Sequence, residues 1–300
     1  MASSSRVGRG RIAPSPVGEL LRYWRRERRM SQLALSAEAG VTSRHVSFIE
    51  SGRARPSPDL LLRLAGALAV PLRERNQLLL AAGYAPRYRE TGLDAAPMAR
   101  VRDALHRMLS HHEPYPAVVM DRHWNLLLAN PAATAMFAWL LDGADPGDPP
   151  NIVRLMFTLL RPHVANWEDT GQALIHRVHR EAVGGVADPA TERLLAEVLA
   201  EPGVPASWRR PDFGAAPVPL VPVELARNGR RLSYFSLVTT VGTPQDVTAQ
   251  ELRVEAFFPS DDQTAACRWP AGGGGPVTPG FGVPGGGVPG GGVSSGRPAG

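Results

Sequence analysis

Apolar residues recur at helical spacing along the first third of the chain. Val17, Leu20, Leu21 and Trp24 share one face of a segment over 17–29, and Arg25, Arg26, Arg28 and Arg29 occupy the others. Ser31 can cap a short helix in which Leu35 and Ala39 lie four residues apart, and Gly40 marks its end. Val41 plugs the corner with an apolar side chain. Thr42 or Ser43 can cap the next helix, where Val46, Phe48 and Ile49 read as core and Gly52 as the stop. Ser57 caps and Pro58 opens a further helix, proline being harmless in a first turn where its N–H would have no partner. Leu61, Leu64, Ala65 and Leu68 are its inner face, and Leu72–Ala82, closed by Gly83, completes five helices.

From residue 99 the pattern changes. Val101, Leu105, Met108 and Leu109 make one more amphipathic helix over 99–110. Two short apolar strands, Ala117–Met120 and Trp124–Ala129, then flank Asp121-Arg-His. Asn130 can cap a helix with Pro131 in its first position. NIVRLMF, ANWEDTGQALIHRVHREA and DPATERLLAEVL follow as three helices, and Val218–Val223, Arg231–Val241 and Arg253–Phe258 as strands. Asn228-Gly229 is a strong hairpin turn between the first two of those strands. An opening hairpin, inserted helices and three closing strands predict a mixed α/β sheet, and the order strand, turn, strand, Asn, helix resembles the opening of a PAS-type domain.

Two short helices joined by a glycine corner form a helix-turn-helix, whose second helix fits the DNA major groove. Residues 31–57 resemble the Xre/phage-repressor type: Ser31, Gln32, Leu35, Ala39, Gly40, Val41, Ile49, Glu50, Gly52, Arg53, Pro56 and Ser57 match its pattern, with Ser36 where the family prefers alanine. The resemblance implies an all-α, five-helix lambda-repressor-like domain bound to a double-stranded DNA operator. By position, Gln32 meets a phosphate and supports a base-reading neighbour. Ser43, Arg44 and Ser47, with His45 beside them, form the outward face, and Arg44 is the candidate for bidentate guanine reading. Arg53 and Arg55 are placed to grip the backbone, which adds affinity without sequence information.

Charge strengthens this picture. Residues 1–89 carry 16 Arg against 6 Asp and Glu, a net +10, so the remainder is −5 within an overall +5. The basic part is the helix-turn-helix part, as a phosphate-binding surface requires. The chain contains no lysine, so every cationic task falls to arginine.

The second half resembles the ligand-binding domain of MmyB-like transcription regulators, a PAS-like domain that follows an Xre-type helix-turn-helix. The matching residues are Pro116-Ala-Val, Asp121-Arg-x-Trp124-Asn125, Asn130-x-Ala132-Ala, Asn151-x-x-Arg154-x-x-Phe157, Trp167-Glu168 and Asp188-Pro189. The resemblance implies a small hydrophobic, fatty-acid-like effector. Trp124, Phe137, Phe157 and Trp167 are then candidate pocket residues, and Arg154 a candidate fork for a carboxylate. A single helix-turn-helix reads few base pairs, so a homodimer on two half-sites is expected, its contacts made by the strands and the 99–110 helix of the C-terminal half. The alternative is a C-terminal dimerisation or protein-interaction module without a small ligand.

Other chemistry is thin. No G-x-S-x-G, P-loop or HExxH occurs, so no enzyme activity and no cofactor are expected. His176 and His179 share a helix face, but no carboxylate or cysteine pattern completes a metal site. The lone Cys267 excludes an intrachain disulfide and fits a reducing compartment, and no apolar run approaches the ~20 residues of a membrane span. A cytoplasmic, nucleoid-associated protein is expected. The organisation read from the sequence is a disordered arm over 1–16, the DNA-binding domain over 17–84, a linker over 85–98, the PAS-type domain over 99–262 and a disordered Gly/Pro-rich tail over 263–300.

Overall fold

The structure, a computed structural model, describes residues 15–183, 188–209 and 220–269. The expected arm before residue 15 and the tail beyond 269 lie outside the described residues.

The N-terminal head consists of α1 (Pro16–Glu27), α2 (Gln32–Glu38), α3 (Ser43–Glu50), α4 (Pro58–Ala67) and α5 (Leu72–Ala81). Side-chain caps set the starts of α1 to α4. Ser15, Ser31, Thr42 and Ser57 accept from the backbone N–H three residues on, at 3.0–3.3 Å. Thr42, not Ser43, is therefore the cap of α3. Gly40 makes the α2–α3 corner at φ +64°, where a side chain would be strained. A Cβ on Gly18 would lie 2.6 Å from the Ile49 carbonyl, so α1 packs backbone-close against the end of α3. Leu21, Leu35, Val46, Ile49, Leu61, Leu64 and Leu78 are fully buried between the five helices. Ser36, the departure from the family pattern, is buried and donates its hydroxyl to the Leu33 carbonyl at 2.7 Å.

The C-terminal domain begins with α6 (Ala99–His111), β1 (Ala117–Met120), β2 (Leu126–Ala129) and α7 (Pro131–Leu141). It continues with α8 (Ile152–Phe157), α9 (Trp167–Val183), α10 (Pro189–Val198), β3 (Val223–Arg227) and β4 (Arg230–Thr240). It closes with α11 (Val247–Glu251), β5 (Arg253–Pro259) and α12 (Asp262–Ala266). The strands form an antiparallel sheet in the order β2-β1-β5-β4-β3. Opening and closing strands thus meet at the centre, as a PAS-like sheet requires. Every residue of β1 is buried because both faces are covered. Val118 and Met120 face the large core under the inserted helices, whereas Ala117 and Val119 face α6 and the Leu252–Val254 turn. Asn130 is wholly buried. It caps α7 through Ala133 N at 2.9 Å, accepts from Ala117 N and donates to the Tyr115 carbonyl.

Several expectations are corrected. The strand expected over 218–223 is not where the sheet begins: residues 220–222 are outside it, and 218–219 lie outside the described residues. The Asn228-Gly229 turn pairs Arg227 with Arg230 and starts the ladder at Val223 instead. Trp124 is not in β2 but in the preceding turn, at φ +69°. The tail does not begin at 263. Thr264 is fully buried, and Trp269 is buried with its indole N–H donated to the Tyr234 hydroxyl at 3.3 Å. Of the apolar face of α6, Leu105 and Leu109 are buried against the sheet, whereas Met108, expected to face inward with them, is 39% exposed.

Candidate functional site

The outward side of α3 forms the first candidate surface. Val46 and Ile49 are fully buried, which turns Ser43, Arg44 and Ser47 away from the core. Arg44 is exposed, and Ser43, His45 and Ser47 are half-buried. The end of α3 is anchored from within. The Glu50 side chain is 1% exposed and receives Arg25 through Nε at 2.6 Å and Nη2 at 2.9 Å. Gln32 Nε2 donates to the same carboxylate at 3.0 Å, and Arg22 donates to the Glu50 carbonyl at 2.6 Å. Burial pushes the Glu50 carboxyl up. The hydrogen bonds from Arg25 and Gln32 and the charges of Arg25 and Arg22 outweigh it and hold the carboxyl below the usual range.

The other predicted DNA-contact residues divide into two kinds. Gln32 has its amide nitrogen engaged by Glu50. Arg55, expected at the phosphate backbone, donates Nε to the Ala82 carbonyl at 2.9 Å and Nη2 to the Gly83 carbonyl at 3.4 Å, and stacks on Tyr84. It closes the C-terminus of α5, where a cation satisfies unpaired carbonyls. Arg28 does the same for α4 through the Leu68 and Ala69 carbonyls. Arg53 is exposed like Arg55, but its side chain, by contrast, donates to no carbonyl or carboxylate among the described residues and lies beside Arg44 over one aromatic ring, Phe48. Phe48 itself, expected in the core, belongs to none of the apolar clusters.

A second arrangement joins the two domains. Pro71 offers α5 no side-chain cap, and Gln250 of α11 supplies one from the other domain, accepting from Leu72 N at 2.6 Å. Arg73 forks onto Glu251 at 2.8 and 2.9 Å and also donates to Glu90. Arg122 connects Glu251, at 3.1 Å, to Asp188, at 3.0 Å, and His123 Nε2 lies 2.8 Å from the same Asp188 oxygen. Burial would raise Asp188. Hydrogen bonds from Thr191 and Ala190, with the charges of Arg122 and His123, bring it down to about 2. Glu74, buried at the same seam, is pushed up by desolvation despite Arg122 and Arg73. The segment expected as a linker is a strap. Asn76 holds Arg87 and Tyr88 by three hydrogen bonds, and the Arg89 carbonyl accepts from Val247 N.

The Asp121–Asn125 turn explains how one motif serves both core and seam. Asp121 accepts from the backbone of His123 and Asn125 and from the Asn125 amide at 2.8–3.0 Å. Asn151 donates to the His123 carbonyl and to Asn125, while Ile152 N donates to the Trp124 carbonyl. So fixed, the turn holds Trp124 in a left-handed conformation, its ring buried between Arg177 at 4.5 Å and Arg253 at 5.5 Å. Arg122 and His123 point the other way, into the seam.

Inside the C-terminal domain the predicted pocket residues separate. Phe157 and Trp167 meet edge to face at 4.9 Å, joined by Trp208, which the sequence reading did not single out. Trp124 and Phe137 are fully buried in the same core. Arg154 lies at the surface, 46% exposed, and forks onto Glu197 at 2.7 and 2.9 Å. Arg177, by contrast, is partly buried in this domain and pairs with the nearly buried Glu255 at 3.1 Å. A cleft of about 380 Å3 opens elsewhere, between Asp59, Leu62 and Arg63 of the head and Arg87, Tyr88 and Gln245. None of the five predicted pocket residues lines it. Among the described residues no His, Cys, Asp or Glu group could hold a metal, and no helix is long and apolar enough to cross a membrane.

Comparison with known proteins agrees with both halves. Residues 101–269, more than half of the chain, match the MmyB-like transcription regulator ligand binding domain. Residues 21–75 match a helix-turn-helix family. The chain is also similar to an uncharacterized HTH-type transcriptional regulator, RghRB, of Bacillus subtilis (strain 168). The two are 32% identical over 106 residues, covering 35% of this chain and 68% of the relative.

Proposed function

The chain belongs to the MmyB-like transcription regulators and carries a helix-turn-helix, and from that premise we propose an effector-controlled regulator that binds a pseudo-palindromic operator as a homodimer. Arg44 reads a base, Arg53 grips a phosphate, and a small hydrophobic, fatty-acid-like molecule in the C-terminal domain biases that binding. The protein works in the cytoplasm, at the nucleoid. The observation that carries the reading is the seam. An effector changes DNA affinity only if the two domains share an arrangement that both ligands bias. Here Asp188 caps α10 and, through Arg122, Glu251 and Arg73, is tied to the first turn of α5 in the head. A shift of α10 around an effector would reach the head along these bonds, and coupling of about 1–3 kcal/mol suffices for a switch.

Mass spectrometry of small molecules released from the purified full chain tests the effector, followed by operator titration with and without palmitic acid. The expected result is a released long-chain acid and at least a fivefold effect of palmitate, which Arg73→Ala abolishes while basal affinity stays within about twofold. If no acyl compound is released and palmitate changes nothing, the effector reading fails. The second reading then stands: a C-terminal dimerisation module without a small ligand. It is favoured by Leu237 and Val238 of β4, 55% and 42% exposed.

A further inference from the structure

The outer side of α3 carries one large apolar side chain with no place in the core. Phe48 lies one helical turn beyond Arg44 and is half-buried, whereas Val46 and Ile49 on the inner side are fully buried. The Arg44 guanidinium sits over its ring, 5.1 Å from the centroid, and the Arg53 guanidinium sits 5.8 Å from the same centroid. The backbone builds the second contact. The N–H groups of Arg53 and Ala54 both donate to the Phe48 carbonyl, at 2.8 and 3.1 Å, so the chain turns back after Gly52 and sets Arg53 beside the ring. An arginine stacked by its face keeps its in-plane N–H groups directed outward, and that edge pairs with guanine O6 and N7 or with phosphate. It also has less rotamer freedom to lose on docking than an arginine waving in water.

We propose that Phe48 is a positioning residue for DNA reading, its ring holding Arg44 ready for a base edge and Arg53 ready for the neighbouring phosphate. This rests on the DNA-binding reading above. A ring that served only the fold would point inward with Val46 and Ile49. A ring that merely covered surface would leave the two arginines independent of it.

The test selects an operator from randomised duplexes with the full-length protein. Affinity for that operator and for an unrelated duplex is then measured for wild type, Phe48→Leu, Phe48→Tyr, Arg44→Ala and the Phe48→Leu/Arg44→Ala double variant, with a thermal melt of each. Phe48→Leu should lose about five- to tenfold on the operator and less on the unrelated duplex. Phe48→Tyr, which keeps the ring, should stay within about twofold. In the Arg44→Ala background, Phe48→Leu should cost no more than about twofold further. Should Phe48→Leu also melt lower, the cycle still decides, because damage to the fold weakens binding equally in both backgrounds. Unchanged operator affinity in Phe48→Leu, or the same loss with and without Arg44, overturns the proposal. Failure to enrich any sequence overturns the DNA-binding reading and the proposal with it.

Discussion

At the seam, Arg73 gives its guanidinium to Glu251 and Glu90, and Arg122 gives its own to Glu251 and Asp188. Arg44 of α3 and Arg53 just beyond it lie over one phenyl ring, and no carboxylate or carbonyl among the described residues receives a bond from either guanidinium. The residue type is the same and the availability is opposite. Charge density alone does not mark a DNA surface in a chain without lysine. On the reading proposed above, what marks it is arginine held in orientation by a partner that leaves its N–H edge unsatisfied. Arg25 and Arg55 belong with the seam in this respect, although they lie in the basic head: their donors end on Glu50 and on the Ala82 and Gly83 carbonyls.

The largest expected effect comes from removing an acceptor of the committed class. Glu50→Ala leaves Arg25 with an unpaired, partly buried charge and frees Gln32, so the head should lose about 3–5 kcal/mol. Thermal melting followed by tryptophan fluorescence reports it through Trp24, buried in that core. A melt equal to wild type would mean that the buried pair does not hold α1, α2 and α3 together. The next effect belongs to the available class. Arg44→Ala should leave the melt unchanged and lose about 1–3 kcal/mol of discrimination at one base pair of each half-site. Binding to a panel of operator variants measures it, and an equal loss on every variant would remove Arg44 from base reading.

A smaller and slower effect separates the classes by pH. Asp188 is depressed to about 2 in the fold, so its contribution is fully present above the ordinary aspartate range. It should fade as pH falls from near 4 toward 2. Domain separation followed by small-angle scattering should therefore rise across that acid window and stay flat from pH 5 to 8. Loosening between pH 5 and 8 would rule out Asp188 as the controlling group.

The local rules of the chain were legible in advance. Ser31, Ser57, Asn130 and Asp188 are caps whose partners lie two or three residues away, so spacing alone places them. Asn228-Gly229 fixes the β3–β4 hairpin for the same reason. Position 218–223 misled because its apolar residues look like a strand, while Pro219 and Pro222 cannot donate to a ladder. The misplacements at the site have a different origin. Arg55, Arg154 and Phe48 have neighbours set by tertiary packing: Tyr84, Glu197 and Arg53 reach them only once helices are assembled or chain ends turn. Composition places Trp269 in the tail, yet its indole finds the Tyr234 hydroxyl thirty-five residues back. The seam was invisible for the same reason, since Arg73 and Glu251 are 178 residues apart.

The distinction between available and committed arginine is tested most directly by the salt dependence of operator binding in the full-length protein. Wild type, Arg53→Ala, Arg55→Ala and Arg73→Ala are titrated over a range of salt concentrations, and the slope of log K against log salt is compared. Each phosphate contact adds about 0.9 to that slope. The account predicts a slope shallower by about 1 for Arg53→Ala alone, with Arg55→Ala and Arg73→Ala parallel to wild type. An equal drop for Arg55→Ala or Arg73→Ala, or none for Arg53→Ala, would contradict it.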